Sequence, residues 1–285
     1  MTARLRKARR FFQGLLFGRR RETRLAILVH PGRTGSTLLG DLLDQHESID
    51  WAGEIFSKVH RSERHHLMKS FLWRLRNPLL RDGEGRVLWR ETLERRRQRS
   101  ALPILGVEIK TNQIFRQRLF GPDPAAALAA LNAAADLPLI FLHRRNHLER
   151  YVSAAAAKLR SRHNFESGQS PERIEVPIRG QLIDPAYFGE KMEINDWLDR
   201  VVALEAELAA LVQACGGLCL SYEEDIAADP AVAYAKAVRH LGQEPGAAIP
   251  RLIKIDGRPL ADRLSNPERL KKILRADLYA RFCRP

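Results

Sequence analysis

Seven residues near the start of the chain, 31–37, combine the side chains and the backbone freedom that bind oxyanions. They read Pro-Gly-Arg-Thr-Gly-Ser-Thr and follow an apolar run directly. Glycines let the chain close around an anion, while backbone N–H groups and hydroxyls at the start of a helix donate hydrogen bonds to it. We expect this segment, the anion loop, to bind a phosphate or sulfate with Arg33 as its fixed cation. The expected donors are the N–H groups and hydroxyls of Thr34, Gly35, Ser36 and Thr37.

The spacing of the loop disfavours a nucleoside triphosphatase. Such a loop has the form G-x-x-x-x-G-K-[ST], with a lysine that reaches the terminal phosphates. Here Gly32 and Gly35 lie three residues apart, and Ser36 follows Gly35 with no lysine between them. A kinase-like or triphosphatase enzyme therefore stays only as the alternative enzyme class.

A second candidate anion site follows a later apolar run, where Arg144-Arg145 precede a helical pattern. Ser153 comes eight residues after Arg145, in the second turn of a helix that starts near residue 147. Side chains on a helix tilt toward its N-terminus, so this hydroxyl points back toward the arginines. One arginine and one hydroxyl can hold a second phosphate there, although an arginine at a strand end is also a common structural feature.

Candidate proton acceptors lie near both segments. Glu54 follows Trp51 shortly after the first helical pattern. It is either a surface residue after that helix or a carboxylate that its apolar neighbours desolvate for general-base work. His143 and His147 flank the arginine pair and are rival bases. No histidine–cysteine group has the spacing of a zinc site, so we expect no metal.

The elements that must position these residues alternate between strand and helix. Apolar runs predict buried strands at residues 25–29, 104–109, 137–142 and 218–221. Helices are predicted at 36–46, 123–135, 147–160, 191–214 and 229–241. This order indicates an α/β fold with a central parallel sheet flanked by helices, in which ligands bind at the carboxyl ends of the strands.

The charge of the chain is concentrated at its start. The 285 residues carry a net charge of +14, and residues 1–24 hold nine of the basic side chains. We expect a basic N-terminal arm over residues 1–24 and a single domain over 25–285, with a substrate loop at 161–190. A non-enzymatic module that binds nucleic acid or a membrane through this arm is the alternative outside the enzymes.

In their order along the chain, the motifs resemble those of sulfotransferases that use 3′-phosphoadenosine 5′-phosphosulfate (PAPS). In that family a P-x-[RK]-x-G-[ST]-[ST] loop binds the 5′-phosphosulfate, and residues 31–37 match it. A strand-end arginine and a serine eight residues later bind the 3′-phosphate, as Arg145 and Ser153 would. A Tyr-Glu-Asp-Leu-like turn before Asp-Pro is similar to residues 222–230. The resemblance covers residues 25–240 and implies a P-loop-like sulfotransferase fold.

The subtype looks like the bacterial carbohydrate sulfotransferases of the trehalose, Nod-factor and lipopolysaccharide type. By this resemblance Glu54 falls on the general base, Lys110 on a substrate-orienting residue and Arg258 on a nucleotide contact near the C-terminus. It implies PAPS as co-substrate, adenosine 3′,5′-bisphosphate as product, and no metal. The implied partner is a carbohydrate or glycolipid rather than nucleic acid. The expected location is cytoplasmic, with peripheral contact of the arm with an anionic membrane as a further hypothesis.

Overall fold

The structure of the protein is a computed structural model that describes residues 22–56, 79–84, 86–159, 192–252 and 260–283. Most of the predicted basic arm, the predicted substrate loop at 161–190 and Arg258 lie outside the described residues.

Five parallel strands form the sheet at the centre of the fold, in the spatial order β2-β3-β1-β4-β5. β2 and β3 lie on one side of β1, and β4 and β5 lie on the other, so the sheet order reverses at β1. A reversal of this kind opens a crevice at the carboxyl ends of the strands, where ligands bind in open α/β sheets. The strands are β1 Arg24–His30, β2 Ile49–Trp51, β3 Ile104–Lys110, β4 Ile140–His143 and β5 Leu218–Ser221.

The predicted helices are present, although most begin or end up to three residues from their predicted bounds. The helix after the anion loop ends at Leu43, earlier than predicted, and the chain turns at Asp44. The helices are α1 Ser36–Leu43, α2 Trp89–Arg97, α3 Thr111–Phe115, α4 Pro124–Ala134, α5 His147–Leu159, α6 Ile194–Ala214, α7 Pro230–His240, α8 Leu260–Arg263, α9 Pro267–Ile273 and α10 Ala276–Cys283. A π-helical turn, Tyr222–Ile226, connects β5 to α7.

The helices cover both faces of the sheet because its strands are apolar on both sides. Alternate residues of β1 enter two separate cores: Ile27 packs on the side of α4 and α6, and Leu28 packs on the side of α1 and α7. A third apolar cluster joins α5 and α6 to the C-terminal helices α8–α10. The prediction of a parallel α/β sheet flanked by helices is confirmed.

Strand β2 was not predicted, and one predicted strand begins later than expected. β2 has only three residues, too few for a periodic pattern, and it forms because Trp51 and its neighbours pair with β3. The strand predicted at 137–142 begins only at Ile140, because Pro138 has no N–H group to donate to the sheet. Within the described residues, no helix is long and apolar enough to cross a membrane.

Candidate functional site

Three of the four residues 32–35 in the anion loop have the left-handed backbone conformation that favours glycine. Gly32, Arg33 and Gly35 have φ angles of 85°, 57° and 87°. The left-handed region is strained for side chains with a Cβ, so Arg33 holds its place against a conformational cost. At Gly35 a Cβ would also lie 3.0 Å from Ile226, because the π-helical turn packs directly on the loop. The loop then starts α1 through Gly35 O, which accepts hydrogen bonds from the N–H groups of Leu38 and Leu39.

Two of the predicted anion-binding residues meet in the structure. Arg33 Nε donates a hydrogen bond to Ser153 Oγ across 3.1 Å, although 120 residues separate them in sequence. Burial and the nearby Arg144 lower the pKa of Arg33 below its ordinary value. The anion loop and helix α5 therefore contribute to one positively charged site.

Two other predicted residues form an ion pair beside this positively charged site. Lys110 Nζ lies 2.8 Å from Glu54 Oε2, and each side chain is about one third exposed, at 34% and 29%. Lys110 ends β3 directly beside the loop, since its Cε is 3.8 Å from where a Cβ of Gly32 would lie. The predicted base and the predicted orienting residue are thus within reach of solvent and of the loop at once.

The apolar neighbours expected to desolvate Glu54 contact other parts of the structure. Ile55 and Phe56 are buried in the core, where Phe56 packs edge-on against Phe120. Trp51 turns its indole N–H to Glu108 instead, at 2.8 Å. The Glu54 carboxylate forms an ion pair with the ammonium of Lys110.

A buried polar chain lies beneath the loop. Trp51 Nε1 donates to Glu108 Oε1, and Glu108 Oε2 lies 3.2 Å from His30 Nε2. The His30 Nδ1 atom accepts a hydrogen bond from the N–H of Gly32 at 3.1 Å. His30 and Glu108 are nearly inaccessible to solvent, so their partners must come from the protein.

Three of these side chains have the spacing of a metal site but not its protonation pattern. Ligand atoms of His30, Glu54 and Glu108 lie within 4.8 Å of one another. A metal-bound imidazole donates the N–H of its other nitrogen. In His30 that other nitrogen accepts a hydrogen bond from Gly32, and Lys110 pairs with Glu54. The donor set therefore does not suit a metal ion in this arrangement.

The double arginine after β4 divides its two side chains between the surface and the interior. Arg145, the predicted phosphate ligand, is 54% exposed and pairs with Glu224 at 2.6 Å. Arg144 is buried, pairs with Glu149 and stacks on the ring of Tyr222, with its Cζ 4.4 Å from the ring centroid. Arg144, and not Arg145, is the arginine that acts electrostatically on Arg33.

The other predicted donors lie on or next to the loop. Thr34 is fully buried, Ser36 is largely buried and Thr37 is exposed at the first turn of α1. The Thr34 Oγ1 atom is buried and has no hydrogen-bond partner within the described residues. The same holds for Thr111 Oγ1, directly after Lys110. Buried polar atoms are normally paired, so these atoms indicate a place for water or a polar ligand.

No family model, curated protein or solved structure matches the chain.

The rival bases are less suited to proton transfer at the loop. His147 is buried against α6, with its Nδ1 3.8 Å from Glu205 Oε2, and burial lowers its pKa to about 3. His143 is stacked on Phe141, and burial lowers its pKa as well. Burial raises the pKa of Glu205 to about 7, although Arg150 lies 3.2 Å from that carboxylate.

Sequence reasoning missed Glu108 and Arg144. Glu108 stands within the apolar run of β3, where a strand covered on both faces has no solvent for a carboxylate. That charged residue in a buried strand was an available signal. Arg144 had no such signal, because adjacent arginines are equivalent until tertiary contacts orient them.

Proposed function

We propose that this protein transfers a sulfuryl group from PAPS to a hydroxyl of a carbohydrate or glycolipid, on a P-loop-like sulfotransferase fold. The observation that carries the proposal is the contact of Arg33 with Ser153. It brings the loop motif and the serine of the arginine–serine motif to one place, as two phosphate groups of a single nucleotide require. The ion pair of Glu54 with Lys110 borders that place.

In this proposal the donor's phosphosulfate lies on the anion loop. Arg33, the N–H groups at the start of α1 and the hydroxyls of Ser36 and Thr37 face the charge that accumulates on the leaving phosphate. Ser153 and Arg145 hold the 3′-phosphate, with Arg258 as a further contact. Arg145 reaches this phosphate only by exchanging its surface partner Glu224 for the ligand. A half-exposed ion pair is worth little, so this exchange costs little free energy.

Glu54 and Lys110 serve the acceptor side. The acceptor hydroxyl attacks sulfur in line with the bond to the leaving phosphate oxygen, and that S–O bond breaks as the new one forms. The hydroxyl proton passes to the Glu54 carboxylate, which is partly exposed to solvent. The products are a sulfate ester, adenosine 3′,5′-bisphosphate and the protonated base. Lys110, paired with Glu54, orients the acceptor.

Calorimetric titration of the full chain with adenosine 3′,5′-bisphosphate tests the proposal. We expect binding that needs no Mg²⁺ and that Arg33→Ala weakens strongly. ATP with Mg²⁺, titrated in parallel, distinguishes the kinase-like alternative. Absence of binding to the bisphosphate, or tighter binding to MgATP, would overturn the proposal.

Deletion of residues 1–24 is the second arm of this test. A nucleic-acid or membrane module would lose its binding with those residues and keep it in Arg33→Ala. We expect the reverse for the nucleotide, because the arm reaches only the first residue of β1, Arg24, whereas the anion loop follows the end of that strand.

A further inference from the structure

A line of buried polar contacts crosses three neighbouring strands and ends at the anion loop. It runs from Trp51 on β2 to Glu108 on β3, then to His30 on β1, and finally to the N–H of Gly32. The strands lie in this same order in the sheet. Trp51 is three residues before Glu54, so the line joins the segment that carries the proposed base to the loop that holds the proposed donor.

The contacts fix which nitrogen of His30 carries the proton. Nδ1 accepts a hydrogen bond from Gly32 N–H, so it must be unprotonated. The proton of the neutral ring is therefore on Nε2, which faces Glu108 Oε2 at 3.2 Å. Nε2 makes no hydrogen bond within the described residues, and the Glu108 carboxylate faces it at ion-pair distance.

The surrounding backbone is shaped to admit this line. At Gly106 a Cβ would overlap the six-membered ring of Trp51, so only glycine lets the indole lie flat over β3. At Gly40, on α1, a Cβ would lie 2.6 Å from Trp51 Nε1 and 2.9 Å from Glu108 Oε1. The helix that starts at the anion loop therefore rests directly on the Trp51–Glu108 hydrogen bond.

We propose that Glu108 is a positioning residue, which acts on the anion loop through the tautomer of His30. A carboxylate that faces Nε2 at 3.2 Å favours the proton on that nitrogen and leaves Nδ1 as an acceptor, and Nδ1 then holds Gly32 N–H toward the protein interior. This fixes the left-handed turn at Gly32 and Arg33, on which the shape of the anion loop depends. The consequence for catalysis rests on the proposed function, whereas the tautomer itself does not.

The conservative variant Glu108→Gln separates this role from simple packing. A glutamine has the size of glutamate, and its carbonyl can still accept from Trp51 Nε1. Its amide then meets Nε2–H as a second donor. The ring proton moves to Nδ1, where it opposes the N–H of Gly32, and the loop loses its anchor.

Nitrogen NMR of the full chain labelled with ¹⁵N-histidine reads the tautomer without any ligand. His30→Gln assigns the His30 signals. We expect the Nε2–H form in the wild type and the Nδ1–H form in Glu108→Gln, with a shift of the Gly32 amide resonance. Trp51→Phe, which removes the indole N–H and one ring but leaves Glu108 and His30 in place, is the control and keeps the Nε2–H form.

Calorimetry with adenosine 3′,5′-bisphosphate, and with inorganic pyrophosphate as a second probe, reads the effect on the loop. We expect at least tenfold weaker binding in Glu108→Gln and less than threefold in Trp51→Phe. A wild-type ring protonated on Nδ1 overturns the proposal even if Glu108→Gln does not fold, and so does an altered tautomer with unchanged binding. Loss of wild-type binding on addition of EDTA overturns it too, because a metal would then occupy Nε2. A wild type that binds neither probe refutes the proposed function, while the tautomer still decides the role of Glu108.

Discussion

Replacing Arg33 by glycine is expected to weaken ligand binding and leave the fold as stable as before. The φ angle of Arg33 is 57°, a region that costs a residue with a Cβ about 1–2 kcal/mol. Its hydrogen bond to Ser153 contributes about 0.5–1.5 kcal/mol, so relief of strain and loss of the bond nearly cancel. Burial beside Arg144, which lowers the pKa of Arg33, further reduces what its charge adds to the unliganded fold. We expect the free energy of unfolding to change by less than about 1 kcal/mol.

Binding should respond very differently. A guanidinium hydrogen-bonded to a phosphate or sulfate contributes about 1.5–3 kcal/mol. Its removal therefore predicts a dissociation constant about 10–150-fold higher for adenosine 3′,5′-bisphosphate. Lost binding at unchanged stability is the mark of a residue retained for its ligand.

The chain offers a matched control in Arg118. It is the other described non-glycine residue with a positive φ, 47°, and it is exposed outside the site. Arg118→Gly should relieve strain of about 1 kcal/mol and leave nucleotide binding unchanged. Urea unfolding gives the stabilities and calorimetry gives the affinities. The reasoning is refuted if Arg33→Gly loses more than about 3 kcal/mol of stability, or binds within twofold of the wild type.

Three further changes have signed outcomes. Glu54→Gln should keep nucleotide affinity and lower the rate of ³⁵S transfer from labelled PAPS to a carbohydrate panel by about 10²–10⁴-fold; equal loss of binding and rate would contradict its role as base. Arg145→Ala should weaken binding of adenosine 3′,5′-bisphosphate but not of adenosine 5′-phosphate, at unchanged stability since its pair with Glu224 is exposed; equal effects on both nucleotides would remove it from the 3′-phosphate site. The pKa of Glu205 is raised from 4.5 to about 7 in the folded state, so the unfolded state loses this proton first and the free energy of unfolding falls between about pH 4.5 and 7. The pKa of His147 is lowered from 6.5 to about 3, so the free energy of unfolding rises between about pH 3 and 6.5. The two slopes oppose each other between pH 4.5 and 6.5, and urea unfolding of Glu205→Gln should show stability that rises with pH by about 1.4 kcal/mol per unit relative to the wild type; a parallel pH profile would contradict the assignment.

Local signals predicted the parts of the fold that local chemistry decides. Apart from Glu108 and Ser221, the runs at 25–29, 104–109 and 218–221 are apolar on both faces, and a sheet covered on both sides buries such runs. Asp123 and Asp229, each before a proline, cap α4 and α7 as their sequence indicates. β2 was not predicted because a three-residue strand shows no periodic pattern in the sequence. It is a strand because it pairs with β3.

The candidate site divides in the same way. The loop at 31–37 was recognisable because glycines and hydroxyls act through their own backbone, within a few residues of one another. Its partners were recognisable only as candidates. Ser153 is opposite Arg33 because α5 follows β4, and β4 pairs with β1. Glu54 meets Lys110 because the chain after β2 continues alongside β3, with hydrogen bonds from Ala52 to Gly106 and from Glu108 to Gly53.

By itself, the sequence determined a parallel α/β sheet and an anion loop with Arg33 at its centre, because apolar periodicity and glycine spacing are short-range properties. The tertiary structure alone decided that Arg144 turns inward while Arg145 faces solvent. It also decided that Glu108 and His30 meet beneath the loop. Which charged group a side chain meets depends on contacts between strands and helices far apart in sequence, and a buried charge must find its partner there.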